Sequence, residues 1–227
     1  MGRGRGRGRG KASVTASPVA SAIEPSTPVV ACMKTTYDGV DDKYSSTDAI
    51  LKHTGELTVA FRLTVGNLIA TPTTARSFTG NETYPSSGWT AHWYNGLFYL
   101  RSISTAAGIV TLNPAMASNT TYDVIGIISD TAMSVYFDSV LVATAAKTAG
   151  IALPTATFLV NGSTLGSISK YSLFDGVCTN PLTADVTDPS SFTGTLTTLI
   201  DSPNGSGTDN GQSLTFAKTG DPVIEAC

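Results

Sequence analysis

The stretch Met133-Ser-Val-Tyr-Phe-Asp-Ser-Val-Leu-Val-Ala-Thr144 decides the fold class of this chain. It consists of two short apolar segments separated by one polar pair, Asp138-Ser139. Asp-Ser is related to the Asp-Gly pair that favours two-residue hairpin turns, and the flanking segments are rich in β-branched and aromatic residues. The stretch therefore predicts two antiparallel strands joined by a tight turn.

The same kind of pattern recurs along the middle of the chain. From Leu57 to Val65 apolar residues alternate with Thr, Ala and Arg, as expected for a strand with one buried face. A second hairpin is predicted at Asn95-Gly96, between two aromatic segments. Because Gly, Pro and Asn interrupt these strands about every 8–12 residues, we predict an all-β fold, a two-sheet antiparallel jelly-roll sandwich. Further strands are predicted at Tyr122–Ile128, Thr157–Val160 and Gly166–Phe174.

The net charge of −3 conceals two regions of opposite sign. The first eleven residues contain five basic side chains and no acid, which leaves 9 of the 14 basic residues and all 17 acidic residues for the rest of the chain. These eleven residues, the start of an N-terminal arm, therefore carry a net charge near +5, and the rest of the chain carries a net charge near −8. The two regions are expected to have different partners. The basic residues of the arm are Arg3, Arg5, Arg7, Arg9 and Lys11.

This composition suggests three regions. Residues 1–31 are a basic Gly/Arg arm followed by a strap rich in Pro, Ala and Ser, residues 32–186 are the sandwich, and residues 187–227 are a C-terminal extension with a few short strands. The arm has three alternative roles: it neutralises nucleic-acid phosphates, it docks on acidic surfaces of its own or other subunits during assembly, or it is a solvated tail.

A set of motifs follows a recognisable order along the chain. Tyr37-Asp-Gly-Val-Asp-Asp42, then Thr54–Phe61, then the hairpins Gly88–Arg101 and Tyr136–Ala143 resemble the landmarks of laminin-G-like, concanavalin A-like jelly-roll modules. The resemblance covers roughly residues 35–186, and it implies a sandwich of the kind found in phage virion structural proteins. The closing motifs are Leu159–Gly162, Gly166–Phe174 and Asn180–Val186.

Two residues depart from the pattern of those modules. Ser139 stands where the hairpin usually has glycine, and Phe61 stands near a position where tryptophan is typical. Neither departure is expected to prevent the fold.

The aromatic hairpin offers a candidate carbohydrate site. Sugar-binding sites combine aromatic platforms with nearby amides, and Trp89, Trp93, Tyr94 and Asn95 supply both kinds of group. The alternative is that alternate aromatic residues of this hairpin fill the core of the sandwich.

A calcium site is a second candidate. Asp38, Asp41 and Asp42 cluster beside a glycine, and dense carboxylates on a loop can coordinate Ca²⁺. The alternative, which we favour, is a turn in which the side chains bind their own backbone. Beyond this Ca²⁺, no cofactor is predicted.

Enzymatic signatures are missing from the sequence. None of the four glutamates has an acidic residue two positions later, so the paired carboxylates of the glycosidases on this scaffold are not predicted. No Gly-x-Ser-x-Gly motif accompanies His53 or His92. We therefore predict that the protein is not an enzyme, and that His92 is a structural or surface ring.

The three cysteines, Cys32, Cys178 and Cys227, have no metal-ligand spacing. They are either reduced thiols or, for Cys32 and Cys227, cross-links to a neighbouring subunit. No apolar run has the length of a membrane span, and no N-terminal export signal is visible, so no membrane partner is predicted.

These features favour a non-enzymatic virion structural protein, namely a capsid decoration, fibre or adaptor subunit of a tailed phage. Such a subunit is assembled in the host cytoplasm, its arm anchors to neighbouring subunits, and its sandwich faces outward on the particle, where it meets host-surface glycans. One alternative is a small-virus capsid protein whose arm binds nucleic acid, for which five phosphate contacts predict a log–log salt slope of roughly −4. Another is a lectin-like carbohydrate-binding module.

Overall fold

The computed structural model describes residues 33–37, 43–66, 76–104, 108–161, 166–201, 214, 216–219 and 223–226. Ala31–Cys227 form one compact unit. Its described residues include two 3-10 helices, Ala49–Leu51 and Pro189–Ser191. The strands are β1 (Met33–Tyr37), β2 (Lys43–Ser46), β3 (Leu57–Val65), β4 (Arg76–Gly80), β5 (Gly88–Tyr94), β6 (Leu97–Ser104), β7 (Gly108–Leu112), β8 (Thr121–Ile128), β9 (Ala132–Phe137), β10 (Val140–Ala146), β11 (Phe158–Asn161), β12 (Gly166–Asp175), β13 (Thr197–Asp201), β14 (Ala217–Thr219) and β15 (Val223–Ala226).

The described strands form two antiparallel sheets. Sheet A has the order β10-β9-β8-β3-β12-β1-β15, with β13 also paired to β12. Sheet B has the order β14-β2-β11-β4-β5-β6-β7. This arrangement confirms the predicted all-β, two-sheet antiparallel sandwich of the jelly-roll type.

The core lies between the two sheets and is rich in aromatic rings. Phe61 of sheet A has its ring centroid 6.1 Å from that of Phe78 and 6.4 Å from that of Phe98, both in sheet B. Burying a side chain of this size stabilises the fold by about 1.5–3 kcal/mol, so the phenylalanine serves the core in place of a tryptophan. One face of β3 is buried as predicted, and its residues are at most 5% exposed: Leu57, Val59, Phe61, Leu63 and Val65. On the opposite face Thr58 and Ala60 are buried as well, since a second apolar cluster includes Ala60, so only the end of the strand near Arg62 and Thr64 shows the predicted alternation.

Both predicted hairpin turns are present. Asp138 and Ser139 have φ angles of 49° and 64°, and Asn95 and Gly96 have φ angles of 50° and 83°. Two successive residues with positive φ characterise a type I′ turn, whose twist matches that of the flanking strands. The Asp138 carboxylate also accepts a hydrogen bond of 2.8 Å from the main-chain N–H of Asp123, so the turn is tied to β8.

We expect Ser139→Gly to raise the free energy of unfolding by about 0.5–1 kcal/mol, because glycine adopts positive φ without the steric cost that serine bears there. The gain is limited, since glycine also gives the unfolded chain more conformational freedom. Urea denaturation of both proteins measures the difference. A lower stability for the variant would contradict the turn geometry.

The described strands that follow residue 186, the predicted end of the sandwich, pair with strands that precede it. β13 pairs with β12, β14 with β2, and β15 with β1, so the C-terminal strands extend both sheets. The intervening loop also covers the outer face of sheet A with a second apolar cluster. The loop contributes Cys178, Ala184, Val186 and Phe192 to this cluster. The strands of sheet A contribute Ala60, Ile125, Ile127 and Phe174.

Candidate functional site

The structure decides between the two interpretations of the aromatic hairpin. Trp89 is 0% exposed and Trp93 is 4% exposed, and both belong to the core between the sheets. A ring without an exposed face cannot stack on a sugar, so the prediction of these two residues as a carbohydrate platform is wrong. Tyr94 and Asn95 lie at the exposed end of the hairpin and do not line the groove described next.

The outer face of the same hairpin carries a polar groove. Thr90 and His92 of β5 pair with Arg101 and Tyr99 of β6, and they alternate with the buried tryptophans. A groove of about 360 Å³ opens on this face of sheet B. It is lined by Ser77, Gly80, Asn81, Glu82, Tyr84, Thr90, His92, Arg101, Ala156, Thr157 and Leu159.

One wall of the groove is the loop 81–87 between β4 and β5. Thr83 and Ser87 exchange two main-chain hydrogen bonds, of 2.9 and 3.0 Å, which close the loop into a tight turn. Gly80 and Gly88 flank the loop with φ angles of 126° and 87°. A side chain on Gly88 would lie 2.5 Å from the main-chain oxygen of Asn81, so both the backbone angle and the close approach require glycine.

Arg101 joins this loop to the sheet. Its Nη1 donates a 2.9 Å hydrogen bond to Oε1 of Glu82, and the two side chains are 20% and 11% exposed. Its guanidinium carbon lies 5.1 Å from the ring centroid of Tyr84, a cation–π contact. The Tyr84 residue is 64% exposed. The groove therefore has a paired charge and an accessible aromatic ring side by side.

His92 forms part of the floor of the groove. The residue is 3% exposed, and its ring stacks on that of Tyr99 with centroids 4.8 Å apart. Its buried Nδ1 has no hydrogen-bond partner among the residues that the structure describes. Burial and, secondarily, the positive charge of Arg101 lower the pKa of His92 from 6.5 to about 4, so the ring is uncharged at neutral pH.

This shifted pKa predicts how stability depends on pH. Between pH 6.5 and about 4 the unfolded chain binds a proton at His92 while the folded protein does not, so stability falls as the pH is lowered through this window. From pH 7 to pH 5 the loss from this group is about 2 kcal/mol. We expect His92→Phe to remove this part of the fall, as measured by urea denaturation at both pH values. Equal losses for the two proteins would contradict the prediction.

The other polar clusters have structural contacts. The Nε2 atom of His53 lies 2.6 Å from the main-chain oxygen of Glu56 and 3.4 Å from the Asp175 carboxylate. Arg62 and Asp123 form a two-bond ion pair on the outer face of sheet A, at 2.6 and 2.7 Å. Within the described ranges, no three His, Cys, Asp or Glu side chains are grouped so that they could hold a metal ion.

Several predicted residues lie outside the described residues, so their roles stay predictions. They include the candidate calcium ligands and the two cysteines proposed to form cross-links. Cys178 is described, and it is a buried free thiol whose pKa is raised by burial. The residues outside are Arg3, Arg5, Arg7, Arg9, Lys11, Cys32, Asp38, Asp41, Asp42 and Cys227.

Sequence reasoning missed Glu82, Tyr84 and Arg101. A signal for Arg101 was present, because the residues that alternate with the buried aromatics of the hairpin must face outward together. Thr90, His92 and Arg101 form that outward row. Nothing in the sequence pattern placed Glu82 and Tyr84 beside it, since they come from a loop.

In the part of the chain that the structure describes, no helix has both the length and the apolar character needed to cross a membrane. No protein-family model and no curated protein matches the sequence.

Solved structures share the fold at low sequence identity. A proposed carbohydrate-binding protein from Bacteroides ovatus ATCC 8483 matches 86% of this chain and 60% of its own, with a TM-score of 0.59 and 11% identity. The native heptameric SAP-like pentraxin from Limulus polyphemus matches 86% of this chain and 94% of its own, with a TM-score of 0.53 and 14% identity.

The binding domain of botulinum neurotoxin serotype D matches 66% of this chain, with a TM-score of 0.51 and 13% identity. This chain spans only 40% of the length of that toxin domain. At these identities the similarity shows a common fold, a jelly-roll-like sandwich of the concanavalin A type.

Proposed function

We propose that this protein is a non-enzymatic virion surface subunit whose sandwich binds carbohydrate in the groove of sheet B. One observation carries the carbohydrate part: the exposed Tyr84 ring stands beside the Arg101–Glu82 pair in an open groove. Sugar rings stack their C–H faces on aromatic rings, and their hydroxyl groups both donate and accept hydrogen bonds. A neighbouring ring, carboxylate and guanidinium offer matching partners for each of these groups.

The acidic residues of the groove support binding rather than hydrolysis. Glycosidases of the common types place two carboxyl groups on either side of the scissile bond, roughly 5–9.5 Å apart. Among the described residues that line the groove, Glu82 is the single acid, and its carboxylate is held by Arg101.

The virion role is supported by the sequence, through the basic arm, the Pro-rich strap and the concanavalin A-like module that follows them. We expect deletion of residues 1–31 to abolish incorporation into particles, because the arm supplies the contact with neighbouring subunits. Immunoblots of purified particles measure incorporation, and circular dichroism of the truncated protein checks that it is folded. Undiminished incorporation of a folded, truncated protein would refute the anchoring role.

Carbohydrate binding is tested with the full-length protein on a glycan array, followed by calorimetry with the best ligand. We expect saturable binding to at least one class of saccharide. No binding to any glycan on the array would refute the carbohydrate part of the proposal and leave the particle role to be judged by the deletion.

A further inference from the structure

We infer that the groove on sheet B selects neutral saccharides and discriminates against those that carry a carboxylate or a sulfate. This inference rests on the proposed carbohydrate-binding function and names its class of ligand. Three features carry it: the balanced charge of the groove, the geometry of its exposed ring, and the uncharged polar floor.

The charges of the groove are compensated within the protein. Arg101 is the one cation among the described lining residues, and its guanidinium is bound to the Glu82 carboxylate at 2.9 Å. An anionic ligand next to this pair is attracted by Arg101 and repelled by Glu82 at similar distances, so the two Coulomb terms nearly cancel. The anion still loses hydration on entering the groove. A neutral sugar avoids that cost.

Tyr84 provides the stacking surface. The Arg101 guanidinium lies over the ring at 5.1 Å, and the residue is nevertheless 64% exposed, so ring surface remains open to solvent. The loop that carries Tyr84 is closed by the main-chain bonds between Thr83 and Ser87. Because the platform is held in place, little conformational entropy is lost when a sugar packs on it.

The ion pair offers hydrogen bonds to two neighbouring hydroxyl groups. A carboxylate has about four lone-pair sites, and the Glu82 carboxylate accepts a hydrogen bond from Arg101 at Oε1. The remaining sites of Glu82 can accept a hydrogen bond from a sugar hydroxyl. Arg101 has five N–H donors, of which Nη1 binds Glu82. One hydroxyl can therefore donate to Glu82 while the adjacent one accepts from Arg101. A ligand carboxylate can only accept, and cannot satisfy Glu82.

The floor of the groove, formed by Thr90 and His92, is polar but uncharged. Thr90 and His92 are 4% and 3% exposed, and no group in the described part of the chain forms a hydrogen bond with the Nδ1 atom of His92. Since the imidazole is neutral at physiological pH, it contributes no positive charge that could hold an anion. The floor thus differs from the clustered arginines and lysines that bind carboxylates and sulfates in proteins.

The test compares matched sugars on the full-length protein. The probes are oligogalactosides and the corresponding oligogalacturonates, together with a glycan array that contains neutral, sialylated and sulfated members. We expect the neutral member of each bound pair to have an affinity at least about tenfold higher, because only the acidic one pays an uncompensated desolvation cost. Calorimetry at pH 7.5 and fixed ionic strength gives both affinities.

Two variants and one control variant assign the effect to the groove. Tyr84→Ala should weaken binding of the neutral sugar about tenfold through loss of the stacking surface. The control Leu182→Ala, which removes a 58% exposed side chain from the loop over sheet A, should leave binding unchanged. Glu82→Gln keeps the shape of the side chain and removes its charge, so the groove gains a net positive charge. We expect this variant to bind the acidic sugar about tenfold more tightly than the original protein does.

The outcomes separate the two proposals. An unmodified protein that prefers acidic sugars overturns the inference but leaves carbohydrate binding intact, whereas a protein that binds no glycan overturns both. A neutral preference that Tyr84→Ala does not weaken also overturns the inference, because the ligand then lies elsewhere. Circular dichroism confirms folding, and Tyr84, as an exposed residue, gives a readout even if Glu82→Gln is poorly folded.

Discussion

Trp89→Ala is expected to lower the free energy of unfolding by about 3–5 kcal/mol, the usual cost of removing a large aromatic side chain from a packed core. Trp89 is 0% exposed, and its ring centroid is 6.2 Å from that of Phe158 on β11. The loss combines the transfer energy of the indole with the cavity that remains between the sheets. Urea denaturation followed by circular dichroism measures it without depending on tryptophan fluorescence.

The matched control is Tyr94→Ala, on the same strand. Tyr94 is 39% exposed and makes one edge contact with Tyr99, at 6.1 Å, so its removal should cost about 1 kcal/mol or less. If Trp89→Ala left stability unchanged but abolished sugar binding, Trp89 would be a surface platform after all. The pair therefore tests the corrected role of the hairpin directly.

The strands and turns were predictable because their signals are local. Leu57–Val65 has a period of two, which fixes one buried face whatever the rest of the chain does. Asn95-Gly96 and Asp138-Ser139 each bring residues that tolerate positive φ between apolar segments, and the structure places type I′ turns at both.

The limit of the sandwich was not predictable from composition. The segment after Thr187 is rich in Ser, Thr, Gly and Pro, which favours a loose extension. Its described apolar residues nevertheless pack on the strands before the segment, as when Phe192 lies 5.1 Å from Phe174, measured between ring centroids. Pairing of β15 with β1 likewise joins the two ends of the unit, and no local pattern encodes such a contact.

Only part of the candidate groove, the part on the hairpin of β5 and β6, could be predicted from the sequence. Once the hairpin of β5 and β6 is recognised, neighbouring residues such as Trp89 and Thr90 must face opposite sides of the sheet. Which of the two sides faces the core is decided by how β4 and β11 assemble with the hairpin into sheet B, and β11 is distant in sequence. Glu82 and Tyr84 reach the groove only because the loop 81–87 turns back over the sheet. That path is set by Gly80, whose special conformation the sequence alone did not reveal.

Gly80→Ala is therefore expected to have the second large effect, a loss of about 3–5 kcal/mol in the free energy of unfolding. Gly80 has a φ angle of 126°, where a side chain is strained. A Cβ atom there would meet the main-chain oxygen of Trp89 and lie 2.7 Å from Cα of Thr90. Both neighbours are backbone atoms of the paired strand β5, so they cannot move away without breaking the pairing of β4 with β5.

Gly96→Ala distinguishes the cost of backbone strain at positive φ from the cost of a steric clash. Gly96 also has a positive φ, 83°, but a Cβ atom there would meet no heavy atom of the described residues within 4 Å beyond its own chain neighbours, so its substitution should cost only about 1–2 kcal/mol. The excess loss in Gly80→Ala measures the close approach of β4 to β5, and equal losses would contradict it. The close approach of β4 to β5 at Gly80 also positions the loop 81–87 over the sheet. Any folded fraction of Gly80→Ala should therefore lose sugar binding as well, whereas Gly96→Ala should retain sugar binding.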